Sequence, residues 1–142
     1  MSGPPETPDA LAALHARCFT TPRPWSADEF ASLLSLPGCF LLTGTGGFLL
    51  GRAIAGEAEL LTLAVAPETR RRGLGRTLLA RFEAEAAARG AENAFLEVAA
   101  DNAPARALYE TAGWRQTGRR KNYYRGAARA VDALLYAKAM DR

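Results

Sequence analysis

The segment Leu63-Ala64-Val65-Ala66-Pro67-Glu68-Thr69-Arg70-Arg71-Arg72-Gly73-Leu74-Gly75-Arg76-Thr77 constrains this chain more than any other. It begins as an apolar strand and passes through a basic turn with glycines at 73 and 75. It continues as an amphipathic helix, in which Leu74, Leu78, Phe82 and Ala86 recur every four residues until Gly90. A strand delivered straight into a helix start is a unit of a layered α/β domain. The first turn of a helix carries N–H groups without partners and the positive end of the helix dipole, so it favours an anion. Glycines remove side chains that would hold such an anion at a distance, and Arg70, Arg71, Arg72 and Arg76 add positive charge. A pyrophosphate suits this turn. No P-loop string occurs, and a dinucleotide fingerprint would need a third glycine where Leu78 stands.

Around this unit the chain reads as a single domain spanning residues 1–142, with residues 1–8 expected to be flexible. Thr7-Pro8 predicts a helix start, with Leu11, Leu14 and Cys18 on one face. Ser26 and Glu29 form a capping-box pattern ahead of Phe30, Leu33 and Leu34, and Pro37-Gly38 ends that helix. Apolar runs at 39–43 and 48–55 flank Gly44-Thr45-Gly46-Gly47, the composition of a hairpin turn. A third strand is expected at 59–65 and a short fourth at 95–98. A helix follows from Pro104 to Gly113, and two last strands, 114–124 and 131–140, lie around a turn at Gly126. The expected order is α-α-β-β-β-α-β-α-β-β. The fold class is α/β (α+β): a mixed, mostly antiparallel twisted sheet flanked by helices, with a strand–helix–strand unit at its centre.

Composition removes several function classes. The 142 residues include two cysteines, Cys18 and Cys39, and a single histidine, His15, so metal catalysis, a disulfide framework and Ser–His chemistry lose most of their support. Cys18, Cys39 and His15 read as core residues. No apolar run approaches the roughly 20 residues of a membrane span, and the N-terminal residues lack signal-peptide features, so a cytoplasmic protein is expected. Arg70, Arg71, Arg72 and Arg76 contribute +4 to a formal net charge of +3. The basic excess is therefore local to the glycine-arginine turn.

The string Arg70-x-x-Gly73-x-Gly75 after a strand resembles the acetyl-coenzyme A signature of the GNAT N-acetyltransferase superfamily. Asn102-x-x-Ala105-x-x-Leu108-Tyr109-x-x-x-Gly113-Trp114 is similar to that superfamily's second cofactor motif. Phe95-Leu96-Glu97-Val98, Pro24-Trp25-Ser26 and Arg120-Lys121-Asn122-Tyr123-Tyr124 resemble its RimI branch, enzymes that acetylate the N-terminal alanine of a small-subunit ribosomal protein. The resemblance implies the GNAT acyltransferase fold, acetyl-CoA as co-substrate without a metal, and the N-terminal peptide of a ribosomal protein as partner. It implies that Leu63, Ala64 and Val65 line the acetyl and pantetheine arm, with the Val65 N–H on the thioester carbonyl. Arg70, Arg71, Arg72, Gly73, Leu74, Gly75, Arg76 and Thr77 would cradle the pyrophosphate, and Asn102 would also touch the cofactor. Glu97 would accept a proton and Tyr109 would donate one, while Trp25, Tyr123 and Tyr124 are candidates for the acceptor cleft. The chain departs from the branch at Arg125, where proline is common, and residues 1–8 offer no β-branched run for a first strand.

Chemistry agrees with these roles. Acetyl transfer from a thioester needs a positioned amine, a stabilised oxyanion and two proton movements. An α-amine has a pKa near 7.7–8.0, within reach of a carboxylate acting through water, and a thiolate can take its proton from a tyrosine. Glu97 interrupts an apolar strand and shares a face with Phe95. Two other readings cover parts of the chain: the same fold acting on a small-molecule amine, and an RNA-binding domain using Arg115–Arg125 with its five basic residues and two tyrosines. Glu97 is expected to be nearly alone as an acidic group near the acceptor loops.

Overall fold

The structure is a computed structural model and describes residues 4–20, 22–125 and 130–140. Helix α1 (Pro8–Cys18) starts where Thr7 Oγ1 accepts from the Ala10 N–H at 3.1 Å. Helix α2 (Ala27–Leu34) carries both halves of its capping box, Glu29 N–H to Ser26 Oγ at 3.2 Å and Ser26 N–H to Glu29 Oε1 at 2.9 Å. Strands β1 (Cys39–Gly44) and β2 (Gly47–Ile54) form the expected hairpin, closing with Gly44 opposite Gly47. Then come β3 (Glu57–Val65), a single 3-10 turn at Pro67–Thr69, α3 (Leu74–Ala88), β4 (Asn93–Ala99), α4 (Ala103–Thr111), β5 (Arg115–Arg125) and β6 (Ala130–Ala139). The expected element order is the observed one, and no strand precedes α1 among the described residues. The turn expected at Gly126 lies outside the described residues, as do residues 1–3.

Six strands form one sheet in the order β1-β2-β3-β4-β6-β5. All neighbours are antiparallel except β3 and β4, which α3 connects in parallel. Period-2 alternation feeds two cores on opposite faces. Leu49 joins Leu78, Leu79, Phe82, Tyr109 and Trp114 under α3 and α4, while Phe48 and Leu50 join Leu11 and Phe30 under α1 and α2. Burying side chains such as Phe82, Phe30 and Leu78, each fully covered, contributes about 1.5–3 kcal/mol apiece before entropy is counted.

One irregularity shapes everything downstream. Gly51 pairs with Leu60 but Leu50 pairs with Thr62, so Leu61 is an extra residue on β3. This bulge reverses the alternation. Ala58 and Leu60 face the α3 core, whereas Thr62 and Ala64 turn toward α1.

Candidate active site

Parallel pairing between β3 and β4 is limited to Glu57 with Asn93, Ala58 with Ala94 and Glu59 with Phe95. Beyond Glu59 the two strands part. Two adjoining cavities, of about 800 and 830 Å³, lie along the gap and share Phe19, Leu63, Asn102, Ala105 and Tyr109 in their walls. The Ala66 N–H donates to the Gly46 carbonyl at 2.7 Å, on the β2 side. Strand alternation therefore directs the peptide groups of Leu63 and Val65 toward the gap. The Val65 carbonyl there accepts from Arg70 Nε at 3.0 Å and from the Cys18 thiol at 3.4 Å.

The larger cavity is basic. Leu63, Ala64, Val65, Arg70, Arg71, Gly73, Leu74, Gly75, Arg76 and Asn102 all line it; Arg72 and Thr77 do not. Thr77 uses its N–H to close the first turn of α3 on Gly73 O at 2.9 Å. Gly73 (φ 82°) and Arg71 (φ 67°) are both left-handed. Such a φ costs a non-glycine residue about 1 kcal/mol or more, and Arg71 bears it at this turn. No side chain caps α3, so its leading N–H groups remain directed at the cavity. At Gly75 an added Cβ would meet Leu108 Cδ2 at an ordinary 3.5 Å. Packing within the chain does not require glycine there; a closely approaching ligand would. Asn102 caps α4 through its oxygen, accepting from the Ala105 N–H at 3.2 Å, and this leaves its amide NH₂ for the cavity.

The other cavity is acidic. Glu97, Tyr109, Trp25, Tyr123 and Tyr124 line it together. Glu97 lies 3.5 Å from Arg120 Nε and accepts a 3.5 Å hydrogen bond from the Tyr124 hydroxyl. Burial, then the neighbouring Glu97 charge, pushes Tyr124 up to about 12. Burial also raises Tyr109 above the ordinary tyrosine value, so its proton is retained at neutral pH. Tyr109 reaches both cavities.

His15 is buried, as expected of a core residue. Its Nδ1 accepts the Trp25 N–H at 3.0 Å, which leaves Nε2 protonated to donate to Thr62 Oγ1 at 2.9 Å. Desolvation holds its pKa down at about 4. The imidazole stacks on Trp25 at 5.0 Å between ring centres and so fixes one wall of the acidic cavity.

The expectation that Glu97 would be nearly alone is corrected here. Asp28, Glu29 and Glu59 also line this cavity, and among the described residues no lysine or arginine does. Glu29 is held by Arg23 through two 2.8 Å contacts, and that hydrogen bonding lowers it to about 2. Glu59 pairs across the sheet with Arg52, whose charge acts on it; burial, then Glu97, raises its pKa. Of the five basic residues in 115–125, Arg119 pairs with Asp132 at 3.1 Å and Arg120 with Glu97. Among the described residues, no group of three or more His, Cys, Asp or Glu could hold a metal ion, and no helix is long and apolar enough to cross a membrane.

Residues 9–114 match the model of the Acetyltransferase (GNAT) family. The ribosomal protein bS18-alanine N-acetyltransferase of Escherichia coli K12 is 38% identical over 136 residues, covering 93% of this chain and 92% of that protein. A putative enzyme of the same description from Bacillus subtilis is 33% identical over 133 residues, covering 89% and 85%. The crystal structure of the Escherichia coli ribosomal-protein-S18-alanine N-acetyltransferase superposes with a TM-score of 0.83 at 32% identity, covering 92% of this chain and 86% of that one. Arabidopsis thaliana NAA60 in complex with acetyl-CoA shares the fold, with a TM-score of 0.81 at 16% identity over 93% and 92% of the two chains. With the family match, the full-length relatives and the parted strands in agreement, the chain belongs to the GNAT family and is an acetyl-CoA-dependent N-acetyltransferase.

Proposed function

We propose that this enzyme acetylates the N-terminal amine of a ribosomal protein, with alanine as the first residue, by direct transfer between the two cavities. The observation that carries the reading is their junction. A basic chamber built around a helix start meets an acidic chamber at Leu63, Asn102 and Tyr109. The relatives that cover nearly the whole chain support alanine N-termini as the acceptor class.

Acetyl-CoA, when bound, supplies a thioester whose acetyl group passes to the amine while coenzyme A leaves as the thiol. The residues of the basic chamber fit it: uncapped N–H groups of α3 and the Arg70, Arg71 and Arg76 guanidiniums suit a pyrophosphate, and Gly75 permits close approach. Arg72 and Thr77 act from outside the wall, Arg72 through its charge and Thr77 by closing the helix turn. The Val65 N–H, directed into the gap, serves as the oxyanion donor. Glu97 takes the amine proton through water, and Tyr109, kept protonated by burial, supplies the proton the departing sulfur needs. Trp25, Tyr123 and Tyr124 wall the acceptor side. A ribosomal acceptor places the reaction in the cytoplasm.

An acidic chamber also suits a polyamine, so a small-molecule amine is the second reading. Acetylation assays over peptides with varied first residues, run beside spermidine and aminoglycosides, separate the two. Turnover of alanine-starting peptides above the rest is expected; turnover of small amines alone overturns the proposal.

A further inference from the structure

Helix α4 carries the proposed acid, yet its apolar packing does little to set how the helix is turned. Of its nine residues, Tyr109 alone is buried. Ala103, Ala105 and Ala107 offer only methyl groups, and Leu108 belongs to the wall of the basic cavity. A helix anchored through one ring can roll about its axis and carry that ring's hydroxyl with it. At the edge of a helix, about 5 Å from its axis, a roll of about 10° moves an atom by about 1 Å. A misplacement of that size is enough to slow a reaction many-fold. Polar contacts reach α4 from the sheet. The ring of Tyr136 on β6 is fully buried, with its centre 6.3 Å from that of Tyr109. Its hydroxyl donates to Glu110 Oε2 at 2.5 Å and accepts from Arg106 Nε at 3.4 Å. Arg106 and Glu110 stand four apart on one face of α4, three residues before Tyr109 and one after it. Arg106 Nη1 also donates to the Ala100 carbonyl at 3.1 Å, in the turn leading from β4 to the Asn102 cap. A phenol-to-carboxylate bond of 2.5 Å belongs to the strong, charge-assisted class. Burial, then the bond to Glu110, raises Tyr136 above the ordinary tyrosine value, so the phenol keeps the proton it donates.

Resting on the reading of Tyr109 as proton donor, we infer that Tyr136 is a positioning residue: through Arg106 and Glu110 it sets the rotation of α4 and so aims the Tyr109 hydroxyl at the departing sulfur. Strand β6 pairs with β4 on one side and β5 on the other, so the helix takes its bearing from a strand held on both edges. Asn102 is held separately, by its cap and by its N–H to the Ala99 carbonyl at 3.0 Å. The cofactor side of the gap therefore does not depend on the Tyr136 hydroxyl.

A double-mutant cycle on kcat, with the best acceptor among peptides and small amines, separates aim from general support. Tyr136→Phe keeps the ring and its packing and removes only the hydroxyl. Its kcat should fall about tenfold, while the acetyl-CoA Kd by calorimetry and the acceptor KM stay within about twofold of wild type. In a Tyr109→Phe background, where no hydroxyl remains to be aimed, Tyr136→Phe should lower kcat no further. Glu110→Ala changes an exposed position and should slow the enzyme as Tyr136→Phe does. Glu110→Gln still accepts a hydrogen bond and should keep most of the wild-type rate. A fall that repeats undiminished in the Tyr109→Phe background overturns the inference and leaves Tyr136 a support of the fold alone. So does wild-type kcat in both Tyr136→Phe and Glu110→Ala when Tyr109→Phe is slow. Wild-type kcat in Tyr109→Phe itself strikes the reading of the proton donor, and the inference falls with it.

Discussion

Glu59 and Phe95 are the last Cα partners that β3 and β4 share before the strands diverge. One residue pair thus marks the floor of the active site. Above it, peptide groups that would otherwise close the sheet are left for substrates, and the side chains of Glu97 and Tyr109 reach the same gap from β4 and α4.

Glu97→Gln and Tyr109→Phe should each lower kcat by roughly 10²-fold or more, the usual range for losing a general base or acid. Acetyl-CoA affinity, read by calorimetry, should change little, because neither group belongs to the glycine-arginine turn. Unchanged kcat in both variants would dismiss the assigned proton transfers.

Gly75→Ala separates folding from binding. The new methyl meets only an ordinary contact with Leu108, so the helix should gain about 0.5 kcal/mol in denaturant unfolding. The same methyl covers the helix start, and acetyl-CoA affinity should fall about tenfold. Arg71→Glu should weaken it further, with a reduced dependence on salt.

Asn102 is tested by a pair of substitutions. Asn102→Ala removes the α4 cap and should cost about 1 kcal/mol of stability. Asn102→Asp keeps the capping oxygen and should leave stability within about 0.5 kcal/mol, yet it lacks the amide donors and should lose cofactor affinity. Equal affinity in the wild type and the Asp variant would confine Asn102 to capping.

His15 predicts a pH effect of definite sign. Its folded pKa, about 4, lies below the ordinary 6.5, so the unfolded chain binds the extra proton first. The contribution is complete above pH 6.5 and is lost as the pH falls toward 4, on the order of 2 kcal/mol. Urea unfolding at pH 7.5 and pH 5 should show the loss, and His15→Gln should flatten it. Carboxylates such as Glu29, lowered from 4.5 to about 2, act in a window below this one.

Local signals carried far in this chain because each acts within one element. Thr7, the Ser26–Glu29 box, Gly44–Gly47, Gly90 and Gly113 lie at the boundaries they predict. The strand, basic turn and helix of 63–77 were legible because a strand, two glycines and the arginines are contiguous in sequence. Non-local features were not. The order that puts β6 between β4 and β5 depends on pairing partners, and the Leu61 bulge depends on register. Glu59 did leave a trace: like Glu97, it breaks an apolar strand. Its place in the cavity wall depends on β3 and β4 lying side by side, and Asp28 and Glu29 reach the same cavity only through the packing of α2.

The uneven charge of the two chambers also bears on how the catalytic cycle ends. On the proposed reading an amine enters the acidic chamber as a cation and leaves as a neutral amide, so the attraction that gathers the reactant vanishes with the bond that makes the product. The basic chamber has no such relief, since coenzyme A keeps its phosphates. If Arg70, Arg71, Arg76 and the α3 helix start hold the spent carrier as proposed, its departure should be the slower exit and free coenzyme A the stronger product inhibitor.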